Sequence, residues 1–298
     1  MTGLGALIKR NCKLFFKDKG MFFTSLITPM ILLVLYATFL AKVYRDSFAA
    51  SLPAGFSADD ALIGGMVGGQ LVSSLLAVSC VTVAFCTNLL MVQDKVSGAR
   101  RDLTVTPVKS STLALGYFMS SALSTLIVCY SAFAVCLVYI YFVGWYLTLA
   151  DIAAIILDIF MLSLFGTALS SIINSFLSSQ GQMSAVGTIV SAGYGFICGA
   201  YMPIYNFGKG LQHVLSFLPG TYGTSLIKNH ALRGVFEEMS AVGFPAEVTE
   251  GIKDGIDCNI RFFDNKVQTG VMALVFGGSV VLLIGIYILI YSLRKKKA

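Results

Sequence analysis

The sequence predicts an all-α membrane protein with six transmembrane helices. Of its 298 residues, 56% are hydrophobic and only 12% are charged, whereas a soluble domain carries about 25% charged residues. A chain of this composition has too few polar side chains to cover a water-exposed surface, so its apolar stretches are expected to face lipid. These stretches are continuous rather than alternating in ten-residue segments, which favours a helical bundle over a closed barrel.

The N-terminal segment predicts an amphipathic helix at the membrane surface. Residues 3–19 interleave apolar pairs with Lys9, Arg10, Lys13 and Lys17. A helix with one basic and one apolar face lies in the membrane interface, and a solvated basic helix is the alternative interpretation. The segment lacks a short apolar core followed by a small-residue cleavage site, so we do not expect a cleaved signal peptide.

Six apolar stretches follow, each long enough for the roughly 20 residues that a bilayer requires. Pro29 lies within the first stretch and predicts a bend there, because proline removes a backbone hydrogen bond. Trp145 and Tyr146 follow the third stretch, where an interfacial belt of aromatic side chains is expected. The predicted spans are approximately residues 22–43, 62–92, 112–143, 152–176, 183–201 and 267–293.

The distribution of basic residues predicts the orientation. The short segments on one side of the predicted spans carry thirteen Lys and Arg residues and those on the other side carry two. The long segment 202–266 is left out because long loops cross the membrane regardless of charge. We therefore expect a multi-pass protein of a bacterial inner membrane, with both termini in the cytoplasm. The net charge of +6 then reflects topology and not nucleic-acid binding.

The residue pattern argues against an enzyme, a metal site or an ATPase in this chain. The seven cysteines and two histidines have no metal-ligand spacing. Cys258 lies in the external segment without a disulfide partner, and His213 and His230 are interpreted as ordinary residues of that segment. The sequence contains no phosphate-binding glycine-rich loop, because the fragment 208–210 lacks the required spacing. We expect no cofactor in this chain.

Two features lie inside the predicted spans. Gly187, Ser191, Gly195 and Gly199 recur every fourth residue of the fifth span, and such a stripe allows helices to approach closely. The stripe is expected to pack within the chain, to pack against a second copy, or to line a substrate path. Asp158 is the one acid clearly inside a span, so it either lines a cavity or reaches the interface. A lone acid makes ion coupling an unfavoured hypothesis.

A short charged segment separates the second and third spans. Residues 93–111 contain Gly98, which permits a turn, and Pro107, which ends the charged part. A segment of this kind is suited to dock in a polar groove of a soluble partner, although it also suits a charge cluster that only anchors the adjoining helices. Its charged residues include Asp94, Lys95, Arg100, Arg101 and Asp102.

Two stretches resemble the landmarks of bacterial type-2 ABC export permeases. The first, QDKVSGARRDLTVTPVKSSTLALGYFMSSAL, covers residues 93–123 and combines an acid–base pair, a glycine, basic residues and a Thr-Pro-Val element. The second covers residues 199–234, with a proline after the fifth span and a Leu-Pro-x-Thr-Tyr element. With the N-terminal helix and six spans, the resemblance extends over residues 1–298 as a single permease domain.

The resemblance implies that two permease chains, identical or different, assemble with separate ATPase subunits that bind ATP and Mg²⁺. It assigns residues 1–20 to an interfacial elbow helix, 93–110 to a coupling loop and 202–266 to an external segment with re-entrant helices. The implied ATPase-coupling positions are Asp94, Lys95, Gly98, Arg100, Arg101 and Pro107. The implied external gate includes Pro203, Pro219 and Tyr222. The insert at 235–266 is longer than the family requires and has no assigned role.

The function expected from this resemblance is that of the membrane subunit of an ATP-driven exporter. Its substrate is expected to be amphipathic or hydrophobic: a drug, an antimicrobial peptide or a lipid-like molecule. Export of a polysaccharide or glycolipid is the alternative within the same class. A proton- or sodium-coupled secondary transporter is the alternative from another class, and a membrane enzyme is more distant.

Overall fold

The structure is a computed structural model that describes residues 3–50, 59–106 and 108–295. These residues fold almost entirely as α-helices, which confirms the predicted all-α membrane class. The helices are α1 (Gly3–Lys17), α2 (Lys19–Leu35), α3 (Ala41–Ala50), α4 (Asp60–Val96), α5 (Ala99–Val105), α6 (Ser110–Val143), α7 (Leu149–Phe176), α8 (Gln180–Ile197), α9 (Lys209–Leu215), α10 (Pro219–Ala241), α11 (Ala246–Gly255) and α12 (Thr269–Lys295).

The remaining regular elements are short. A π-helical turn at Tyr36–Leu40 joins α2 to α3, and a 3-10 turn covers Ile204–Asn206. An antiparallel hairpin pairs β1 (Arg261–Phe262) with β2 (Asn265–Lys266). We call the end of the bundle that carries α1 and α5 the α5 end, and the opposite end, which carries α11 and the hairpin, the α11 end.

Five helical segments of the described residues are long and apolar enough to cross a membrane. They are Lys19–Asp46, Asp60–Val96, Ser110–Val143, Leu149–Phe176 and Thr269–Tyr291, and they correspond to the predicted first, second, third, fourth and sixth spans. The predicted fifth span is α8, which has 18 residues and includes glycine, serine and glutamine along its length. The chain is thus a multi-pass membrane protein, and the count of six spans stays a prediction.

The first span is separated from α1 by a helix cap and is irregular in its second half. Asp18 ends α1 and caps α2, because its Oδ1 atom accepts a hydrogen bond from the Met21 backbone N–H at 3.1 Å. Pro29 lies within α2, as the sequence indicates. Beyond it the Ala41 N–H bonds to the Tyr36 carbonyl oxygen, the five-residue spacing that defines a π turn. The helix then continues as α3 past the predicted limit at residue 43.

Helix α4 is the centre of the bundle. Of its most apolar 18-residue stretch, 94% is buried within the chain, against 19% for the first span and 17% for the last. Helices α2, α6, α7, α8 and α10 pack around it. Small residues allow these helices to approach α4 closely. A Cβ atom on Gly69 would lie only 2.5 Å from Leu232 Cδ2 of α10, so a larger residue would not fit there. A buried helix of this kind is apolar on all sides.

Polar side chains fix the neighbours of α4 in register. Asn88 donates hydrogen bonds from Nδ2 to the hydroxyl oxygens of Ser170, at 3.0 Å, and Ser171, at 2.7 Å, on α7. Thr87 pairs its hydroxyl with that of Ser121 on α6 at 2.6 Å. Hydrogen bonds between membrane helices contribute about 0.6–2 kcal/mol each, and these also specify which faces meet.

Helix α10 is more deeply packed than the sequence predicts. The resemblance assigns this part of the chain to an external segment with re-entrant helices, but α10 has 23 residues, and Gly220–Lys228 are buried without interruption. Gly220 lies against Tyr194 of α8, and Gly223 lies against Leu162 of α7 and Phe276 of α12. The reason is the glycine and small-residue content of its first turns, which lets three helices surround it.

We expect Gly166→Ala to destabilise the bundle. A Cβ atom at this position of α7 would lie 2.9 Å from both the Cys80 carbonyl oxygen and the Val81 Cα atom of α4, so the two backbones must separate. Overpacking of this kind typically costs about 1–3 kcal/mol. The measurement is the apparent midpoint of thermal denaturation of the detergent-solubilised protein. Gly278→Ala on α12 is the matched control, because a Cβ atom there meets open space and should leave the midpoint unchanged.

Candidate functional site

A groove runs between α2 and α8, with α4 as its floor. Its volume is about 1020 Å³, at the upper end of the roughly 300–1,000 Å³ of ligand pockets. The wall formed by α2 and the π turn includes the exposed side chains of Ile27, Ile31, Leu35 and Phe39, and α8 contributes Phe196. Because these large apolar side chains are exposed in the single chain, the groove is open on the side away from α4.

Hydrogen-bonding groups also line this groove. Asp18 and Gln93 lie at its α5 end, and Thr188 and Ser191 of α8 line it further along. Binding sites for small molecules combine mainly apolar walls with a few polar groups that fix orientation. The groove therefore suits an amphipathic molecule with its polar part toward the α5 end.

A second cavity continues from the groove toward the α11 end, and we call it the outer chamber. It has a volume of about 610 Å³ and lies between α3, α4 and α11. Leu40 and Tyr201 line both the groove and the outer chamber. The Tyr201 hydroxyl donates a hydrogen bond to the Ser191 carbonyl oxygen at 3.2 Å, which holds the ring in place. The junction between the cavities is thus formed by the π turn and one tyrosine.

The outer chamber has a polar group in its wall. Gln70 of α4 lines this chamber and is 1% exposed. Neither its amide nitrogen nor its amide oxygen has a hydrogen-bond partner in the part of the chain that the structure describes. An unsatisfied buried polar group costs about 1–3 kcal/mol, so a molecule carrying a donor or acceptor would relieve that cost here.

The four small residues predicted as one stripe have different environments. Gly187 and Ser191 line the groove, and a role in a substrate path stays a prediction. Gly195 is covered by the ring of Tyr201. Gly199 lies beyond α8, which ends at Ile197, and has a φ of +74°. The four-residue repeat therefore does not form a continuous helical stripe, because the helix ends before its last member.

The predicted gate residues begin and brace the external elements. Pro203 precedes the 3-10 turn and lines the outer chamber. Pro219 is the first residue of α10, a position where its missing N–H is not needed. Tyr222 is buried, and its hydroxyl donates to the Ser216 carbonyl oxygen at 2.7 Å, which closes the turn between α9 and α10. Their role as a gate stays a prediction.

Lys228 is a buried charged residue that the sequence analysis did not single out. It lies in α10 and is fully buried. Its Nζ atom donates to the carbonyl oxygens of Gly199 and Ile256, both at 2.8 Å. The sequence does carry a signal, because Lys228 is the one Lys, Arg, Asp or Glu between Lys209 and Arg233. Lysine is almost never buried without partners.

Asp257 is the ionic partner of Lys228. Its Oδ2 atom lies 3.7 Å from Lys228 Nζ and accepts a hydrogen bond from the Ile204 N–H at 2.6 Å, while Oδ1 accepts from the Tyr205 N–H at 3.1 Å. Burial raises the pKa of Asp257, and the lysine and these two N–H donors oppose the rise. The pair thus joins α8, the 3-10 turn, α10 and the end of α11. This is a structural role for the unassigned 235–266 insert.

Asp158 does not stand alone, contrary to the sequence analysis. Its Oδ2 atom lies 2.5 Å from His230 Nδ1 on α10, so His230 is not an ordinary loop residue. One turn further along α10, Arg233 Nε contacts Asp151 Oδ1 at 2.7 Å. These contacts fasten α10 to the first half of α7. The sequence could not show the pairing, because the partners are separated by 72 residues.

The α5 end is held together by a buried carboxylate. We predicted that Asp94 projects from a loop, but α4 extends to Val96 and Asp94 is 5% exposed. Its two oxygens accept hydrogen bonds from Arg10 of α1 at 2.7 and 3.1 Å, and Tyr117 of α6 donates at 2.6 Å. Bidentate pairs of this kind are strong and directional. Asp94 therefore fixes α1 to α4 and α6.

The neighbouring charged residues are also engaged within the chain. Lys95 Nζ donates to the carbonyl oxygens of Asn174, Ser175 and Leu177 at 2.8–3.2 Å, so it caps the C-terminal end of α7. Arg100 of α5 lies over the Tyr291 ring of α12 at 5.9 Å. Lys95 thus joins the end of α4 to the end of α7, and Arg100 joins α5 to α12.

The remaining predicted coupling residues differ in exposure. Gly98 has a φ of +84°, which glycine adopts without strain, and it turns the chain from α4 into α5. Arg101 and Asp102 are exposed on α5. Pro107 lies outside the described residues. Partner contact by these positions stays a prediction. Among the predicted coupling positions that the structure describes, Arg101 is exposed.

The described residues contain no group of three or more His, Cys, Asp or Glu side chains that could hold a metal ion. The cysteines are free thiols, and Cys258 is buried.

The chain was compared with known protein families and with curated proteins. Residues 2–229 match the family model described as ABC-2 type transporter. The matched residues include the groove, the α5 end and Lys228, and they end within α10. No curated protein matches the chain.

We expect Lys228→Met to destabilise the α11 end strongly. The substitution leaves Asp257 buried without its cation, and removal of one partner of a buried pair typically costs about 3–5 kcal/mol. The readout is thermal denaturation in detergent together with proteolysis between α10 and α12. Lys209→Met is the control, since Lys209 pairs with Asp264 on the surface and should denature as the unmodified protein does. Equal midpoints for the two variants would contradict the assigned role.

Proposed function

The chain belongs to the ABC-2 type transporter family, and on that premise we propose that it is the permease subunit of an ATP-driven exporter. In this proposal two permease chains assemble in the cell membrane with separate ATPase subunits. ATP and Mg²⁺ bind to the ATPase subunits, and this chain has a transport role only. Both termini, and with them the α5 end, face the cytoplasm, in keeping with the thirteen basic residues counted on that side.

The observation that carries the proposal is the pair of connected cavities. The groove and the outer chamber follow one another from the α5 end to the α11 end and meet at Tyr201. The groove is open on one side, where exposed apolar residues of α2 and α8 lie. A second permease chain facing the first would enclose the groove and complete a pathway, and its apolar contact would cover those residues.

The lining supports an amphipathic or hydrophobic substrate. The walls are mainly aliphatic and aromatic, and their polar groups include Asp18 and Gln93 at one end, Thr188 and Ser191 along the groove and Gln70 in the outer chamber. A drug, an antimicrobial peptide or a lipid-like molecule has this balance of surfaces. A polysaccharide carries hydroxyl groups along its whole length and would leave most of them unpaired against these walls.

The α5 end is suited to receive movement from an ATPase. Arg101 and Asp102 are exposed on α5, while Lys9 and Lys13 are exposed on α1. Behind this surface, Asp94 ties α1 to α4 and α6. A displacement of α1 or α5 by a partner is therefore transmitted directly to the helix that forms the floor of the groove.

Ion-coupled transport is less well supported. The Asp158–His230 pair is the intramembrane ionisable pair that such a mechanism would use. However, neither residue is among those that line the groove or the outer chamber. Their contacts join α7 to α10, which is a packing role.

We expect Gly187→Leu to block transport without unfolding the protein. Gly187 lines the groove, and a Cβ atom there meets open space, so the leucine fills the pathway and not the core. The assay is ATP-dependent movement of a fluorescent amphiphile across vesicles that contain the permease and its ATPase. Gly193→Leu is the control on the same helix, since Gly193 also faces open space but does not line the groove. Transport that continues without ATP and follows an ion gradient would support the ion-coupled alternative.

We expect Arg101→Glu to weaken association with the ATPase subunits. Arg101 is exposed, whereas Arg100 packs on Tyr291, so reversing Arg101 alone changes the partner surface and spares the fold. Charge reversal at a protein interface costs several kcal/mol where like charges meet. The measurement is the amount of ATPase that co-purifies with the permease. Lys209→Glu, at the other end of the bundle, should leave co-purification intact, and an unaffected Arg101→Glu variant would refute the coupling surface.

A further inference from the structure

A cluster of aromatic side chains is exposed at the α11 end. The Phe217 ring packs against Phe262 and Phe263, with centroids at 5.0 and 5.8 Å, and His213 stacks on Phe263 at 4.7 Å. We call these four residues the aromatic tip. Phe217 is 61% exposed and Phe263 is 50% exposed. Contiguous apolar patches of this kind mark contact with another apolar phase or molecule.

The apolar surface continues onto α9. Leu211 and Val214 are 46% and 60% exposed, and they lie on the same short helix as His213. The tip is therefore part of one apolar surface formed by α9 and the hairpin, although the two elements are about fifty residues apart in the chain.

The hairpin presents its phenylalanine at an energetic cost. Phe263 and Asp264 form the two-residue loop of the hairpin and have φ values of +45° and +66°. Asparagine and glycine are preferred in such a loop, and a left-handed conformation costs other residues about 1–2 kcal/mol. Strain of this kind is found where a side chain is held for function.

Ion pairs hold the tip in position and neutralise its charges. Lys266 contacts Glu250 at 2.6 Å, Arg261 contacts Asp254 at 2.7 Å, and Lys209 contacts Asp264 at 3.0 Å. The hydrogen bond from Lys266 lowers the pKa of Glu250 to about 2. Since each basic residue beside the tip has an acidic partner, an apolar occupant fits this surface better than an anionic polymer does.

The chain geometry puts the tip beside the membrane. Val267 and Gln268 alone separate the hairpin from the segment Thr269–Tyr291, which is long and apolar enough to span. Its 23 residues rise about 34 Å, close to the 30 Å of a hydrocarbon core, so Thr269 lies near the core boundary. The three residue steps from Lys266 to Thr269 reach at most about 11 Å, so the base of the hairpin lies near that boundary.

We propose that the aromatic tip inserts into the headgroup region of the lipid leaflet at the α11 end and anchors the external segment there. Phenylalanine and leucine side chains of interfacial segments are buried about 5–10 Å into the boundary between headgroups and acyl chains, which suits the three phenylalanine rings of the tip and the neighbouring Leu211. The anchor fixes the position of α9, and through the turn that Tyr222 closes it also fixes the start of α10. The proposal rests on the chain spanning a membrane and not on the proposed export function.

The test uses tryptophan fluorescence. The sequence contains a single tryptophan, Trp145, so the Trp145→Phe variant has no tryptophan emission. In that variant, Phe263→Trp or Phe217→Trp introduces one tryptophan at the tip. Each variant is reconstituted in phosphatidylcholine vesicles whose acyl chains are brominated near the headgroup. We expect loss of emission relative to unbrominated vesicles and protection from iodide. Either tip variant suffices if the other does not fold.

Val242→Trp in the same background is the matched control. Val242 is 52% exposed and directly follows the C-terminal end of α10. Iodide should quench the emission of this tryptophan, and brominated lipid should not. The proposal is overturned if the tip variants behave as this control does, which would place the tip in water. It is equally overturned if they resist both quenchers, which would mean that protein, such as a second copy, covers the tip.

Discussion

The structure depends on the burial of one long helix within a protein that is itself in lipid. Helix α4 has no lipid-facing side over most of its length, so its neighbours are held by close packing and by hydrogen bonds rather than by exclusion from water. Gly69 and Gly166 let α10 and α7 approach its backbone closely. Asn88 and Thr87 then fix which faces of α7 and α6 meet it.

This arrangement connects the two ends of the molecule mechanically. One end of α4 carries Asp94, which holds α1 and α6, and the middle of the helix forms the floor of the groove. Toward its other end Gln70 lines the outer chamber, and Gly69 supports α10. The α5 end and the outer chamber are therefore attached to one continuous helix.

The sequence predicted the elements that depend on local composition and missed those that depend on distant pairing. The membrane spans are visible as apolar runs, and Gly98 marked the turn into α5 correctly. Asp94 was misplaced in a loop because a charged residue near a helix end normally faces water, and its partner Arg10 is 84 residues away. Lys228 and Asp257 are separated by 29 residues of mixed composition, and only the fold brings them together.

A π turn in the first span forms part of the junction between the groove and the outer chamber. Tyr36–Leu40 is a π turn, in which one extra residue is accommodated in the helix. Tyr36 stacks on Tyr44 with centroids 5.9 Å apart, and Leu40 lines both cavities. The two cavities therefore meet where the helix of the first span departs from regular α-helical hydrogen bonding.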